Sequence, residues 1–93
     1  MPAISDHAPD ELPVNGVLDL HAVNPKDVRW LVPEYLRLCR ERGIMSVRII
    51  HGKGRMVLLT TVHAILDKLP IVSSYKLADE AGGGWGATLV EME

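Results

Sequence analysis

At 93 residues, 47% of them hydrophobic, the chain has room for one globular domain with one modest core. Its formal charge of -2 hides an asymmetry: residues 1–16 hold three acids and no Lys or Arg, leaving ten basic against nine acidic groups from residue 17 onward, which excludes the strong basic field of a tight nonspecific nucleic-acid binder. No apolar run reaches membrane-span length, no signal core opens the chain, and Cys39 is the single cysteine, so a soluble cytoplasmic protein with no membrane partner and no internal disulfide is expected.

Residues 1–16 contain three prolines and few large apolar side chains, a composition that predicts a disordered tail ahead of a domain spanning residues 17–93. Val17-Leu18-Asp19-Leu20-His21 then alternates with period two. As a strand it turns Leu18 and Leu20 to one face and sets Asp19 and His21 side by side on the other. Asn24-Pro25 reads as a helix start, with Asn24 as the cap and Asp27 near the positive end of the dipole. Val28, Leu31, Val32, Tyr35, Leu36 and Cys39 follow at helical spacing as the buried stripe; Pro33 predicts a kink near residues 29–33, and Gly43 suits the left-handed end. Arg37, Arg40 and Arg42 lie on the outer face, available to solvent or to a phosphate backbone.

Residues 46–50 are β-branched and apolar enough for a buried strand, which runs into His51-Gly52-Lys53-Gly54-Arg55 and then into a second helix over residues 56–69. His63 sits on that helix and is expected at its surface, away from the glycine turn. Residues 71–78 read as a third strand, residues 79–86 as an acidic then glycine-rich loop, and residues 87–92 as a final strand. The order β-α-β-α-β-β, with short crossovers placing both helices on one side, predicts a two-layer α/β sandwich whose other sheet face is open.

Two places carry chemistry. The strand-turn-helix junction at Gly52, Lys53, Gly54 and Arg55 combines unpaired backbone amides, a helix N-terminus and two cations, a setting for a phosphate. The Asp19 carboxylate beside His21 can orient an imidazole as a general base, and His51 adds a second group able to move a proton near neutral pH. Trp85, flanked by glycines, offers a stacking surface for an unpaired base. Alternatives remain open: Asp19, His21 and His51 as a metal triad, or the whole as a binding module without cleavage.

Three pieces in order, Leu18-Asp19-Leu20-His21, His51-Gly52-Lys53-Gly54 and Gly83-Gly84-Trp85-Gly86-Ala87-Thr88, resemble the motifs of the Smr (small MutS-related) domain over about residues 17–92. The resemblance implies a fold similar to the C-terminal domain of translation initiation factor three. It also implies a nucleic-acid-binding domain, in many members an endonuclease acting on branched or duplex DNA or on ribosome-associated mRNA, in repair, recombination or translation quality control. Asp19 and His21 match the first motif, His51, Gly52 and Gly54 the second, and Gly84, Gly86 and Thr88 the third. The chain departs from the family pattern at Ala22, where a glycine is common, and at Met56 to Leu59, where the family has a further glycine and then Leu-Arg. Together these give Asp19, His21 and His51 as the catalytic set and Gly52, Lys53, Gly54, Arg55, Gly84, Trp85, Gly86 and Thr88 as the phosphate- or nucleic-acid-binding set. No dedicated metal ligand set is assigned, although a divalent ion, Mg or Mn, is a candidate cofactor; with no second repeat or coiled coil, a monomer is expected.

Overall fold

The computed structural model describes residues 13–21, 23–52, 56–78 and 86–93. Its elements are β1 (Val17–Asp19), a 3-10 turn (Pro25–Asp27), α1 (Val28–Glu41), β2 (Ser46–Ile50), α2 (Met56–Asp67), β3 (Val72–Leu77) and β4 (Ala87–Met92). The strands form one four-stranded mixed sheet in the order β1-β2-β4-β3, with β1 parallel to β2 and the other two pairings antiparallel. The register pairs Leu18 with Ile49, Ile49 with Thr88 and Val47 with Val90, which aligns these side chains on one face. That face and both helices share a single core containing Leu18, Leu20, Val47, Ile49 and Val90 from the sheet side and Leu31, Val32, Leu36, Leu58, Val62 and Leu66 from the helices. Each such side chain contributes about 1.5–3 kcal/mol by leaving water. Val17 and Asp19 alternate outward and are exposed, so the two-layer architecture with an open sheet face is as expected.

The start and end of α1 show how local chemistry sets its bounds. Asn24 caps with its side chain, Oδ1 accepting from the Lys26 amide at 3.1 Å, and the Asp27 amide donates to the Asn24 carbonyl at 2.8 Å. That short-range bond makes the first turn 3-10, so the α-helix proper starts only at Val28. The kink predicted at residues 29–33 is not seen as a break: α1 continues through Pro33. The ring forgoes one backbone bond, and the buried Val32, Tyr35 and Leu36 around it hold the helix against the sheet. At the other end Gly43 takes φ +79°, the Ile44 amide reaches the Cys39 carbonyl at 2.9 Å and the Gly43 amide reaches that of Arg40 at 3.1 Å, a Schellman ending.

Tyr35 ties the entering chain to the core. Its hydroxyl lies 3.2 and 3.3 Å from the amides of Gly16 and Asn15, which donate to it, and 3.0 Å from the carbonyls of Pro13 and Val17. Burial pushes this phenol's pKa up, so it stays neutral and keeps its one proton to donate. Asn15 Oδ1 accepts from the Val17 amide at 3.0 Å. The Val17 amide and carbonyl on the free edge of β1 are thus engaged from within the chain, which blunts that part of the edge. Residues 13–16, expected in the tail, thus belong to the packed structure, while residues 1–12 lie outside the described ones. Among the described residues no helix is long and apolar enough to cross a membrane.

Candidate nucleic-acid site at one end of the sheet

Because β1 and β2 run parallel and β4 runs against them, the last residues of β1 and β2 and the first of β4 meet at one end of the sheet. The three motif regions are therefore neighbours although up to 67 residues separate Asp19 from Gly86. The junction is closed by backbone bonds: the Leu20 amide donates to Ile50 (2.9 Å), and the amides of His51 and Gly52 both donate to the Gly86 carbonyl, at 2.9 and 2.8 Å. The Gly52 amide, expected to face a phosphate, is consumed by this pairing. Gly52 adopts φ +95°, a conformation only glycine takes without strain, and so turns the chain sharply out of β2. Lys53, Gly54, Arg55, Gly84 and Trp85 fall outside the described residues.

On the open side, Asp19 and His21 form the expected pair. The side chains are 57% and 58% exposed, and His21 Nδ1 lies 2.7 Å from Asp19 Oδ1, which also accepts from the His21 backbone amide at 2.9 Å. An ionised carboxylate only accepts, so Nδ1 carries the proton and neutral His21 presents a bare Nε2 to solvent. The backbone bond from His21, then the imidazole bond, then its charge hold the Asp19 pKa below the ordinary carboxylate value against a small opposing effect of burial. Asp19 therefore stays ionised wherever His21 is neutral. This is an oriented base with an open acceptor nitrogen.

His51 is placed otherwise. Its ring is 0% exposed, on the core side of the sheet, with Nε2 at 2.9 Å from Thr88 Oγ1 and Nδ1 at 3.2 Å from the Gly52 carbonyl. With both nitrogens engaged beneath the surface, it does not share the solvent-facing position of Asp19 and His21, and direct protonation of a leaving group by this ring has no geometric support. The metal triad of Asp19, His21 and His51 does not assemble for the same reason; among the described residues no group of three or more His, Cys, Asp or Glu is placed to hold an ion. Thr88, expected at the binding surface, is likewise fully buried on the core side.

His63 corrects a second expectation. It is half-buried rather than a surface residue, and its Nε2 lies 2.9 Å from Thr88 Oγ1, on the hydroxyl that also meets His51. The rings of His51 and His63 stand edge to face at 6.4 Å, and Tyr75 packs on His63 at 4.7 Å while donating to Asp67 Oδ1 at 2.6 Å. Burial and the neighbouring His51 lower the His63 pKa, with Asp67 opposing weakly. One signal was available: His63 is four residues after Leu59 and three before Leu66, on the flank of the apolar stripe rather than opposite it. The expected outer arginines also find partners, Arg37 with Glu34 and Glu41, and Arg40 with the Glu93 carbonyl at 2.7 Å.

Comparison with known proteins places the fold in a family. A model of the Smr domain matches residues 18–93. Among curated proteins the chain is 36% identical over 76 residues to the endonuclease MutS2 of Clostridium novyi and 41% identical over 80 residues to that of Thermomicrobium roseum, covering 82% and 86% of this chain. It spans about a tenth of the length of these relatives, 10% in each case. Among solved structures, the Smr domain of Thermus thermophilus MutS2 superposes with a TM-score of 0.76 at 27% identity, over 83% of this chain and 96% of that one. YdaL of Escherichia coli, a stand-alone small MutS-related protein, gives 0.74 at 25% identity, over 100% of this chain and 76% of that one. With the motif regions gathered at one sheet end and the family match running from Leu18 to the last residue, the chain belongs to the Smr domain family.

Proposed function

We propose that this domain binds nucleic acid at the end of the sheet where β1, β2 and β4 meet and cleaves a phosphodiester there, with His21 as general base and Asp19 as the group that orients it. The observation that carries this reading is the exposed Asp19–His21 pair, bonded at 2.7 Å through Nδ1, with Nε2 open. The similarity to proteins known as the endonuclease MutS2 supports it.

His21 Nε2 takes the proton from an attacking water or ribose 2′-hydroxyl as that oxygen bonds to phosphorus. The P–O bond to the leaving oxygen breaks and the leaving oxygen takes a proton from solvent, and the Asp19 carboxylate stabilises the imidazolium that forms. Lys53 and Arg55 supply positive charge to the phosphoryl oxygens, with the amides beyond Gly52 in place of the Gly52 amide itself. Trp85 stacks on an unpaired base, worth about 1–3 kcal/mol. Gly54 and Gly84 permit close approach of the backbone, and Gly86 holds the turn through its carbonyl. His51 and Thr88 support the turn from the core side. No step is routed through a metal ion; magnesium or manganese remains a candidate cofactor to be read out directly. The domain acts as a monomer in the cytoplasm, on DNA or RNA.

The test is gel-resolved cleavage of end-labelled duplex DNA, branched DNA and single-stranded RNA by the wild type and by Asp19→Ala/His21→Ala, each with EDTA, Mg and Mn arms. The pair's loss is expected to cost about 10²–10⁴ in rate. Cleavage that survives the double substitution would refute the assignment of the base. Binding without cleavage under every condition would leave a recognition module, a reading that the near-neutral charge of residues 17–93 favours in part.

A further inference from the structure

With His51 neutral, the buried polar chain behind the turn has a direction that hydrogen-bond chemistry fixes. The Gly52 carbonyl can only accept, so His51 Nδ1, at 3.2 Å, carries a proton. A neutral imidazole then has a bare Nε2, and the Thr88 hydroxyl at 2.9 Å must donate to it. With its one proton spent, Thr88 Oγ1 can only accept from the other ring, so His63 Nε2, also at 2.9 Å, is an N–H donor. The four groups form a single head-to-tail series: His63 Nε2–H to Thr88, Thr88 O–H to His51 Nε2, and His51 Nδ1–H to the Gly52 carbonyl. Reversing any one bond leaves two donors or two acceptors facing each other.

The cost of breaking the series is set by burial. His51 and Thr88 are both 0% exposed, so a group left unpaired there has no water to turn to. Around His63, Asp67 on its own helix is engaged by the Tyr75 hydroxyl at 2.6 Å, the Tyr75 ring covers one side at 4.7 Å, and His51 faces it from the end of β2. The surroundings are arranged to keep His63 in one orientation with its Nε2 on Thr88.

We infer that Thr88 and His63 are positioning residues: together with the Gly52 carbonyl they lock His51 in one orientation with its proton on Nδ1, which fixes that carbonyl and hence the path by which the chain leaves β2 for the proposed phosphate-binding turn. This rests on the proposed function only for its effect on cleavage; the tautomer lock is a property of the folded domain alone. Neither residue touches substrate. Both act through His51: Thr88 lies 37 residues beyond it in the chain and 25 beyond His63.

The experiment is long-range ¹H–¹⁵N correlation of the imidazole nitrogens in uniformly ¹⁵N-labelled protein, for the wild type, Thr88→Val, Thr88→Ser and His63→Leu. The wild type is expected to show His51 with a protonated Nδ1 and bare Nε2, and His63 with a protonated Nε2. Thr88→Val, equal in shape but without the hydroxyl, should leave the His51 Nε2 without its donor and move the His51 imidazole signals from their wild-type positions, and Thr88→Ser should restore them. On the substrate cleaved by the wild type, Thr88→Val and His63→Leu should slow turnover about 10- to 100-fold through misplacement of the turn, with Thr88→Ser near normal. A wild-type His51 protonated on Nε2 overturns the inference without any variant having to fold. So does a Thr88→Val protein whose His51 signals are unchanged. If the tautomers are as stated but no protein cleaves any substrate, the lock stands and the nuclease reading fails instead.

Discussion

Removal of one oxygen atom, in Tyr35→Phe, tests how the edge strand that carries Asp19 is held. The ring keeps its place in the core, so no cavity forms, and the loss is confined to the hydroxyl's bonds to Gly16, Asn15, Pro13 and Val17. Asn15 is exposed and can turn to water, whereas Gly16 is buried and its amide cannot. One buried donor left unpaired costs about 1–3 kcal/mol, and the single proton given to a carbonyl is worth about 0.5–1.5 kcal/mol net. A loss near 2 kcal/mol is therefore expected, lowering the melting temperature by about 8–16 °C for a domain of this size. Urea unfolding followed by circular dichroism measures the energy, and amide exchange at Gly16 and Val17 locates it. A loss below about 0.5 kcal/mol, with exchange at those amides unchanged, would refute the role given to this hydroxyl.

Two other outcomes follow from protonation. In His21→Ala the Asp19 carboxyl should titrate higher than in the wild type, followed by its ¹³C carboxyl signal, but should stay below the ordinary carboxylate value because the first cause of its depression, the His21 backbone bond, survives the substitution. For His63, the folded-state pKa lies below the unfolded value of 6.5, so the unfolded chain binds the proton first. Its contribution to stability is complete above about 6.5 and declines as pH falls through that value toward the folded-state pKa; a His63→Gln protein should show a shallower loss over the same window in urea midpoints measured against pH.

The architecture was legible because it is written in short-range periodicity. Leu18 and Leu20 two apart, the stripe from Val28 to Cys39, and the Leu58, Val62 and Leu66 series each bury the face that their spacing predicts. Asn24 and Gly43 act locally, so their roles could be read from neighbours. The Asp19–His21 contact was equally accessible, being set by two residues of one strand. What escaped notice depends on pairing between distant elements. Thr88 is a polar residue in a strand whose face is decided by register with Ile49, and that register placed its hydroxyl inside. Once it was inside, a partner had to come from a helix, and His63 on the flank of α2 supplied it. The Gly52 amide was lost to the phosphate for the same kind of reason, since its acceptor, Gly86, lies 34 residues on. Pro33 does not end α1, because the packing that holds the helix together around it is tertiary.

The position of β4 has a consequence for how the domain comes into being. This strand follows the other three in chain order yet lies in the interior of the sheet, bonded to β2 on one side and β3 on the other. During synthesis, β1 and β2 can pair with each other, but β3 has no neighbour until residues 87–92 have left the ribosome. Thr88 arrives with the same strand, so His51 and His63 acquire their shared partner at that moment as well. A nascent chain exposed only to residue 86 should consequently hold at most the β1–β2 pair, and the next few residues should bring the rest of the sheet and the Thr88 contacts at once, a single late step that force-sensitive arrest profiling along the chain would register as one release event.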